Sequence, residues 1–285
     1  RTWMYVLLGV AFSANIGGIG TLVGSPPNAI AAAAVGMGFA EWMSWGLPLV
    51  LVMMPLMEIG LRLVLRPRLD VMVTPPPAPG GWTTAQQKML ALFGFTVLLW
   101  VFGAPLGAVL GFAQGYDAAV ALLALVLLHG LRLAGWQDVE RSTEWGVLLL
   151  FGGGLTLSKA LAASGAAAWL ATQLGGPLAA LPAWGCIALM VLFALLLTEV
   201  TSNTASAALL IPLFLGLAPH VERAPLAVLV AVGTSCAFML PVATPPNAIV
   251  FGTGHVPQRV MILGGTGVTV LVYPALVLAA LIAVA

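Results

Sequence analysis

The chain has 285 residues, 61% of them hydrophobic and 7% charged, with a mean hydropathy of +1.09. A soluble globular domain carries about 25% charged residues, so this composition belongs to a membrane protein. The formal net charge of +1, with no Lys/Arg cluster, excludes a surface that tracks nucleic-acid phosphates. Cys186 and Cys236 lie in apolar segments without a CxxC or metal spacing and read as buried thiols. No charged segment followed by a short apolar stretch marks a signal peptide, and Arg1 leads straight into an apolar run, as in an incomplete chain.

A bilayer is spanned by roughly 20 apolar residues, and the uncharged runs predict about seven crossings and one re-entrant hairpin. The first crossing, Thr2–Met37, is interrupted at Ile16–Asn28, and a second covers Glu41–Leu65. Arg66–Lys88, containing "TPPPAPGG", is the expected linker. Met89–Leu110 and Ala118–Leu131 are the next two spans, with Arg132–Glu144 as a loop or surface helix. A fifth span starts near Trp145 and contains "FGGG", and Lys159–Gly176 suits a stretch lying along the membrane surface. Pro182–Pro219, with polar "TEVTSNTAS" at its centre, suits two short helices meeting at a tip. A broken span, Glu222–Gly254, and a last span, Val256–Ala285, complete the chain.

This threading puts Arg1, Arg62, Arg66, Arg68, Lys88, Arg132, Arg141 and Arg259 on one face, with Lys159 and Arg223 opposite. The positive-inside rule makes the rich face cytoplasmic and leaves the C-terminus outside.

One motif occurs twice: "GSPPNAI" at Gly24–Ile30 and "ATPPNAI" at Ala243–Ile249. Tandem prolines remove two backbone donors and disfavour helix, so each copy reads as a helix breaker in an apolar run. The first copy lies in a span running outwards and the second in one running inwards. Repeats of opposite orientation are the signature of transporters whose site forms at the midplane from discontinuous helices.

Ser13–Asn28, Thr198–Ser206 and Val242–Asn247 are the polar patches inside the apolar runs. Unpaired backbone inside a membrane is costly, and such breaks persist where the freed groups bind something. Carbonyls with Ser, Thr and Asn oxygens suit Na⁺, and half-helix N-termini suit a carboxylate. No Arg or Lys lies in these patches, so an anion there would be held by hydroxyls, amides, helix ends and co-bound cations. The same polar residues also serve as interhelical glue, and Gly17–Gly20 or Gly152–Gly154 also permit close helix packing. Glu199, the acid within the patches, is either a functional intramembrane carboxylate or a local pairing partner.

Enzyme readings find little support. His129, His220 and His255 sit near predicted span ends, and Asp70, Asp117 and Asp138 fall near loops. GxSxG, HExxH and GxxxxGK[ST] do not occur, and "GIGTLVG" lacks the strand–turn–helix context of a dinucleotide site.

"SNTA" (Ser202–Ala205), "LPVATPPNAIVFGTGH" (Leu240–His255) and the upstream "NIGGIGTLVGSPPNAIA" (Asn15–Ala31) together resemble the divalent anion/sodium symporter family of dicarboxylate transporters. The resemblance runs across essentially the whole chain, with little from the linker and middle spans. It implies an all-α inverted-repeat secondary transporter of elevator type, with broken helices and re-entrant hairpins tipped by Ser-Asn-Thr. The family carries two such tips and this chain one, so the resemblance covers a C-terminal portion lacking the first hairpin. By this resemblance residues 1–65 and 177–285 form the transport domain, 66–88 a cytoplasmic linker and 89–176 the scaffold of a homodimer.

The same resemblance assigns one Na⁺ site to Thr198, Thr201, Asn203 and Ala243, and part of another to Gly24 and Ser25. It brings the substrate carboxylates to Ser25, Pro26, Ser202, Asn203, Thr204, Thr244 and Pro245, with Asn28 and Asn247 bracing the breaks. The expected activity is Na⁺-coupled uptake of a C4-dicarboxylate such as succinate, malate or fumarate across a bacterial inner membrane, without enzymatic chemistry. A Na⁺-independent exchanger, a sulfate or tricarboxylate carrier and a passive anion channel are the alternatives.

Overall fold

Backbone in hydrocarbon must satisfy its own N–H and C=O groups, and the apolar runs do this as helices. The computed structural model describes residues 1–68, 80–112, 115–143 and 180–284, with isolated positions between 145 and 169. The described helices are α1 (Thr2–Gly17), α2 (Pro26–Val35), α3 (Phe39–Leu65), α4 (Thr84–Val101), α5 (Gly103–Val109) and α6 (Tyr116–Gly130). They continue with α7 (Trp136–Ser142), α8 (Ala183–Thr198), α9 (Asn203–Leu217), α10 (Arg223–Ser235), α11 (Pro245–Gly252) and α12 (Gln258–Ala283). Among the described residues, Thr2–Gly20, Phe39–Leu65 and Gln258–Ala283 are long and apolar enough to cross a membrane. Shorter apolar helices are α6, α8, α9 and α10. Residues 69–79 of the expected linker lie outside the described residues, as do most of the "FGGG" span and of Lys159–Gly176.

The chain divides into two compact units, one made of Arg1–Met37, Trp42–Leu69 and Gly146–Ala285, the other of Gly38–Glu41 and Asp70–Trp145. In the first, α10 is the core: Val228, Leu229, Val230, Ala231 and Val232 have no exposed surface. It is enclosed by α2, α8, α9 and α12, while α1 packs along α11. The Phe12 and Phe238 rings meet at 5.0 Å. Leu51, Val270 and Ile282 face outward, an apolar exterior of the kind that lipid solvates.

Two interruptions shape this unit. After α1 the chain makes a 3₁₀ turn at Gly18–Gly20 and runs irregularly to Ser25. After α10 it runs non-helically from Cys236 to Thr244. In both copies the tandem prolines occupy the first two positions of the following helix. They therefore start α2 and α11, where a missing N–H costs nothing and φ is already helical. The interruption itself lies upstream of them, and the sequence expectation of a proline-made break is corrected to that extent.

In the second unit α4 packs on α6. A capping box ties Thr83 to Gln86 at the start of α4. The Asp117 carboxylate accepts the Phe39 N–H (2.9 Å), and the Phe39 ring stacks on Trp100 at 4.9 Å. The Trp100 indole N–H donates to the Asp117 carbonyl at 3.0 Å. The span expected as one piece over Met89–Leu110 is two helices that part at Phe102. Pro105 cannot donate an N–H to the preceding turn and is tolerated within the first turn of α5.

Candidate functional site

The site builds outward from the two asparagines of the repeated motif. Both are fully buried. Asn28 Nδ2 donates to the carbonyls of Gly18 and Thr21, each at 2.8 Å. Asn247 Nδ2 donates to the carbonyls of Ala237 (3.0 Å) and Leu240 (3.1 Å). In both copies the acceptors lie ten and seven residues upstream, so one amide closes each loop in the same way. Carbonyls released by the missing helical turn thereby regain a donor. Gly18 and Gly24 make the first loop tight: a methyl on Gly24 would sit 2.3 Å from the Gly18 carbonyl oxygen. The buried Trp42 indole N–H satisfies the Ile19 carbonyl at 2.9 Å.

Each interruption is also bonded crosswise to the helix that precedes the other. Asn15, near the end of α1, donates through Nδ2 to Thr244 Oγ1 (3.1 Å) and Asn247 Oδ1 (3.2 Å). Ser235, the last residue of α10, lies 3.4 Å from Ser25 through their hydroxyl oxygens. Thr244 caps α11 by accepting the Asn247 N–H at 3.2 Å.

The loop between α8 and α9 joins the second interruption. Thr198 Oγ1 lies 2.7 Å from Asn203 Oδ1 and 2.9 Å from the Thr234 carbonyl, with one proton for two acceptors. Glu199, 5% exposed, accepts the N–H groups of Phe238, Met239 and Leu240 at 2.9 to 3.2 Å. Thr201 Oγ1 donates to the Leu197 carbonyl (2.9 Å) and lies 2.6 Å from Ser206 Oγ.

The remaining candidate residues fall around this network. Ser25, Ser202 and Thr244 are the N-cap positions of α2, α9 and α11, so each of these helices begins at a hydroxyl residue. Helix N-termini carry partial positive charge and free N–H groups. The side chains of Ser25 and Ser202 make no cap bond, and Ser202 is exposed. Thr204 and Ala243 are buried, Pro26 is half-buried, and Pro245 and Gly24 are exposed. Asn15, Thr234 and Ser235 also belong to the network: Asn15 lies in the polar patch expected at Ser13–Asn28, whereas Thr234 and Ser235 lie outside all three patches. The signal for Asn15 was there, a lone amide in an apolar helix just ahead of a glycine run. Thr234 enters through its backbone carbonyl, which no side-chain pattern reveals.

Two interrupted helices, interlocked within an apolar helical unit and bonded to the polar loop between α8 and α9, fit an integral membrane protein of the transporter class. Residues 78–284 match the family described as the sodium:sulfate symporter transmembrane region, and the chain belongs to this divalent anion/sodium symporter family. It is 41% identical over 274 residues to an uncharacterised transporter of Haemophilus influenzae, covering 93% of this chain and 59% of that protein. An uncharacterised transporter of Methanocaldococcus jannaschii is 33% identical over 91% of this chain and 60% of its own length. The sodium-dependent dicarboxylate transporter SdcS of Staphylococcus saprophyticus is 34% identical, over 93% of this chain and 56% of its own. The chain thus spans 56 to 60% of the length of these relatives.

Proposed function

We propose that the chain forms part of a secondary transporter that carries a C4-dicarboxylate inward together with Na⁺. The observation that carries this reading is the oxygen cluster at Thr198, Asn203 and Thr234, where acceptors outnumber protons. A small hard cation suits such a cluster, with the Ala243 carbonyl and the Thr201 backbone as further ligands. Gly24 and Ser25 contribute to a second Na⁺ site in the complete protein. The dianion meets Ser25, Pro26, Ser202, Asn203, Thr204, Thr244 and Pro245, at helix N-termini that favour negative charge. With no Lys or Arg among these residues, bound Na⁺ offsets the cost of holding a dianion away from water. Anion affinity then depends on Na⁺, and Na⁺ affinity on the anion, by the same factor.

The equal offsets of the asparagine braces and the crosswise bonds support reading the two broken helices as inverted repeats. At 1.5 Å per residue, α8 and α9 are about 24 and 22 Å long, short of the roughly 30 Å hydrocarbon core. Those lengths favour a re-entrant hairpin. In this reading the unit with both interruptions moves as an elevator in a homodimer, and the C-terminus lies outside.

The decisive measurement is succinate uptake by the full-length protein in proteoliposomes under an inward Na⁺ gradient. Accumulation in Na⁺, and none in choline, is expected. Equal uptake in both would sink the symport reading, and equilibration without accumulation would identify a channel. Because the family description names sulfate, sulfate is the second candidate anion, and competition against succinate ranks the two.

A further inference from the structure

Glu199 is the buried acid whose partners all lie on the second interruption. Its carboxylate gathers three consecutive N–H groups, those of Phe238, Met239 and Leu240. Among the described residues no Lys or Arg pairs with it. The adjacent Thr198 reaches Thr234 on the other side of the same interruption and Asn203 across the tip. The end of α8 therefore grips the interruption at two points, one before Cys236 and one after it. Leu240 is held twice, its N–H by Glu199 and its carbonyl by Asn247. Charge-assisted bonds of this kind are short and directional, and three from one carboxylate define both distance and rotation.

We propose that Glu199 is a positioning residue for Na⁺, fixing the spacing between the hairpin-tip oxygens and the carbonyls of the second interruption. This rests on the symport reading. Glu199 touches neither ion nor anion and acts through Thr198, Asn203 and the Phe238–Leu240 backbone. Glu199→Gln replaces one acceptor oxygen with an amide donor that faces N–H groups, so the grip loosens at constant size.

The test uses the full-length protein. In Glu199→Gln, the Na⁺ concentration for half-maximal succinate binding is expected to rise about 10- to 100-fold, the usual effect of removing an outer-shell partner. Amide exchange should accelerate at residues 238–240 while α10 stays protected, and the Na⁺-dependent gain in thermal stability should shrink. A folded variant with unchanged Na⁺ half-saturation overturns the proposal. If Glu199→Gln does not fold, Glu199→Asp decides by the same criteria, since it keeps the charge but shortens the reach. If the wild type itself ignores Na⁺, the symport reading has failed. The exchange comparison then decides the grip alone, with faster exchange supporting it and unchanged exchange overturning it.

Discussion

The two motif asparagines perform the same bracing task from unequal surroundings. Asn247 makes bonds through both amide atoms, because Asn15 donates to its Oδ1. Asn28 Oδ1 is buried without a partner among the described residues. Removing Asn247 strands the Ala237 carbonyl, at about 1–3 kcal/mol, and takes one of two partners from the Leu240 carbonyl and from the Asn15 amide, whereas removing Asn28 also deletes an unsatisfied oxygen. Asn247→Ala is therefore expected to destabilise the protein by about 3 kcal/mol or more, and Asn28→Ala by less. Unfolding by SDS titration in mixed micelles measures both, and the reverse ranking would refute the asymmetry. At Thr244, the Ala variant loses a cap worth about 1 kcal/mol together with the Asn15 contact, while Ser keeps the oxygen. Uptake should vanish in Thr244→Ala and in Asn203→Ala with the protein still folded, and should persist in Thr244→Ser. Wild-type transport by both Ala variants would refute the site assignment.

At the scale of elements, close backbone approach decides the geometry. A methyl on Gly265 of α12 would lie 2.4 Å from the Phe238 carbonyl oxygen. No flexible side chain can yield there, so Gly265→Ala should push α12 off the second interruption. A stability loss of about 1–3 kcal/mol and reduced uptake are expected. Gly264→Ala, whose methyl would meet only the side chains of Leu61 and Leu8 at 3.3 Å, should cost less. Thermal unfolding of the two variants side by side checks this. Elements of this kind were largely legible beforehand. Apolar runs announced the helices, and the repeated Pro-Pro-Asn marked where two of them restart. The role of the prolines was less legible, because a residue that ends one helix is also well suited to begin another. Glu199 illustrates the harder limit. Its partners stand 39 to 41 positions away and are backbone amides, so no side-chain pattern could announce them.

For the whole molecule, the proposed orientation rests on where the charges fall, and α12 offers a direct test. At about 39 Å it exceeds the hydrocarbon core, with Arg259 near one end and Val284 just past the other. The native thiols Cys186 and Cys236 are buried and give a quiet background. In intact cells a membrane-impermeant maleimide should label Val284→Cys, and should reach Arg259→Cys only after permeabilisation. The opposite pattern would invert the proposed topology. The hydrogen bonds from Asn15 to Thr244 and between Ser25 and Ser235 carry a kinetic consequence, because they leave each interruption stapled to the helix that precedes the other. Opening either loop strains the staple to the helix that leads into its counterpart, so the two are expected to loosen together with similar opening free energies. A fluctuation at Gly18–Ser25 and one at Cys236–Thr244 would then be the same motion, seen from two places in the chain.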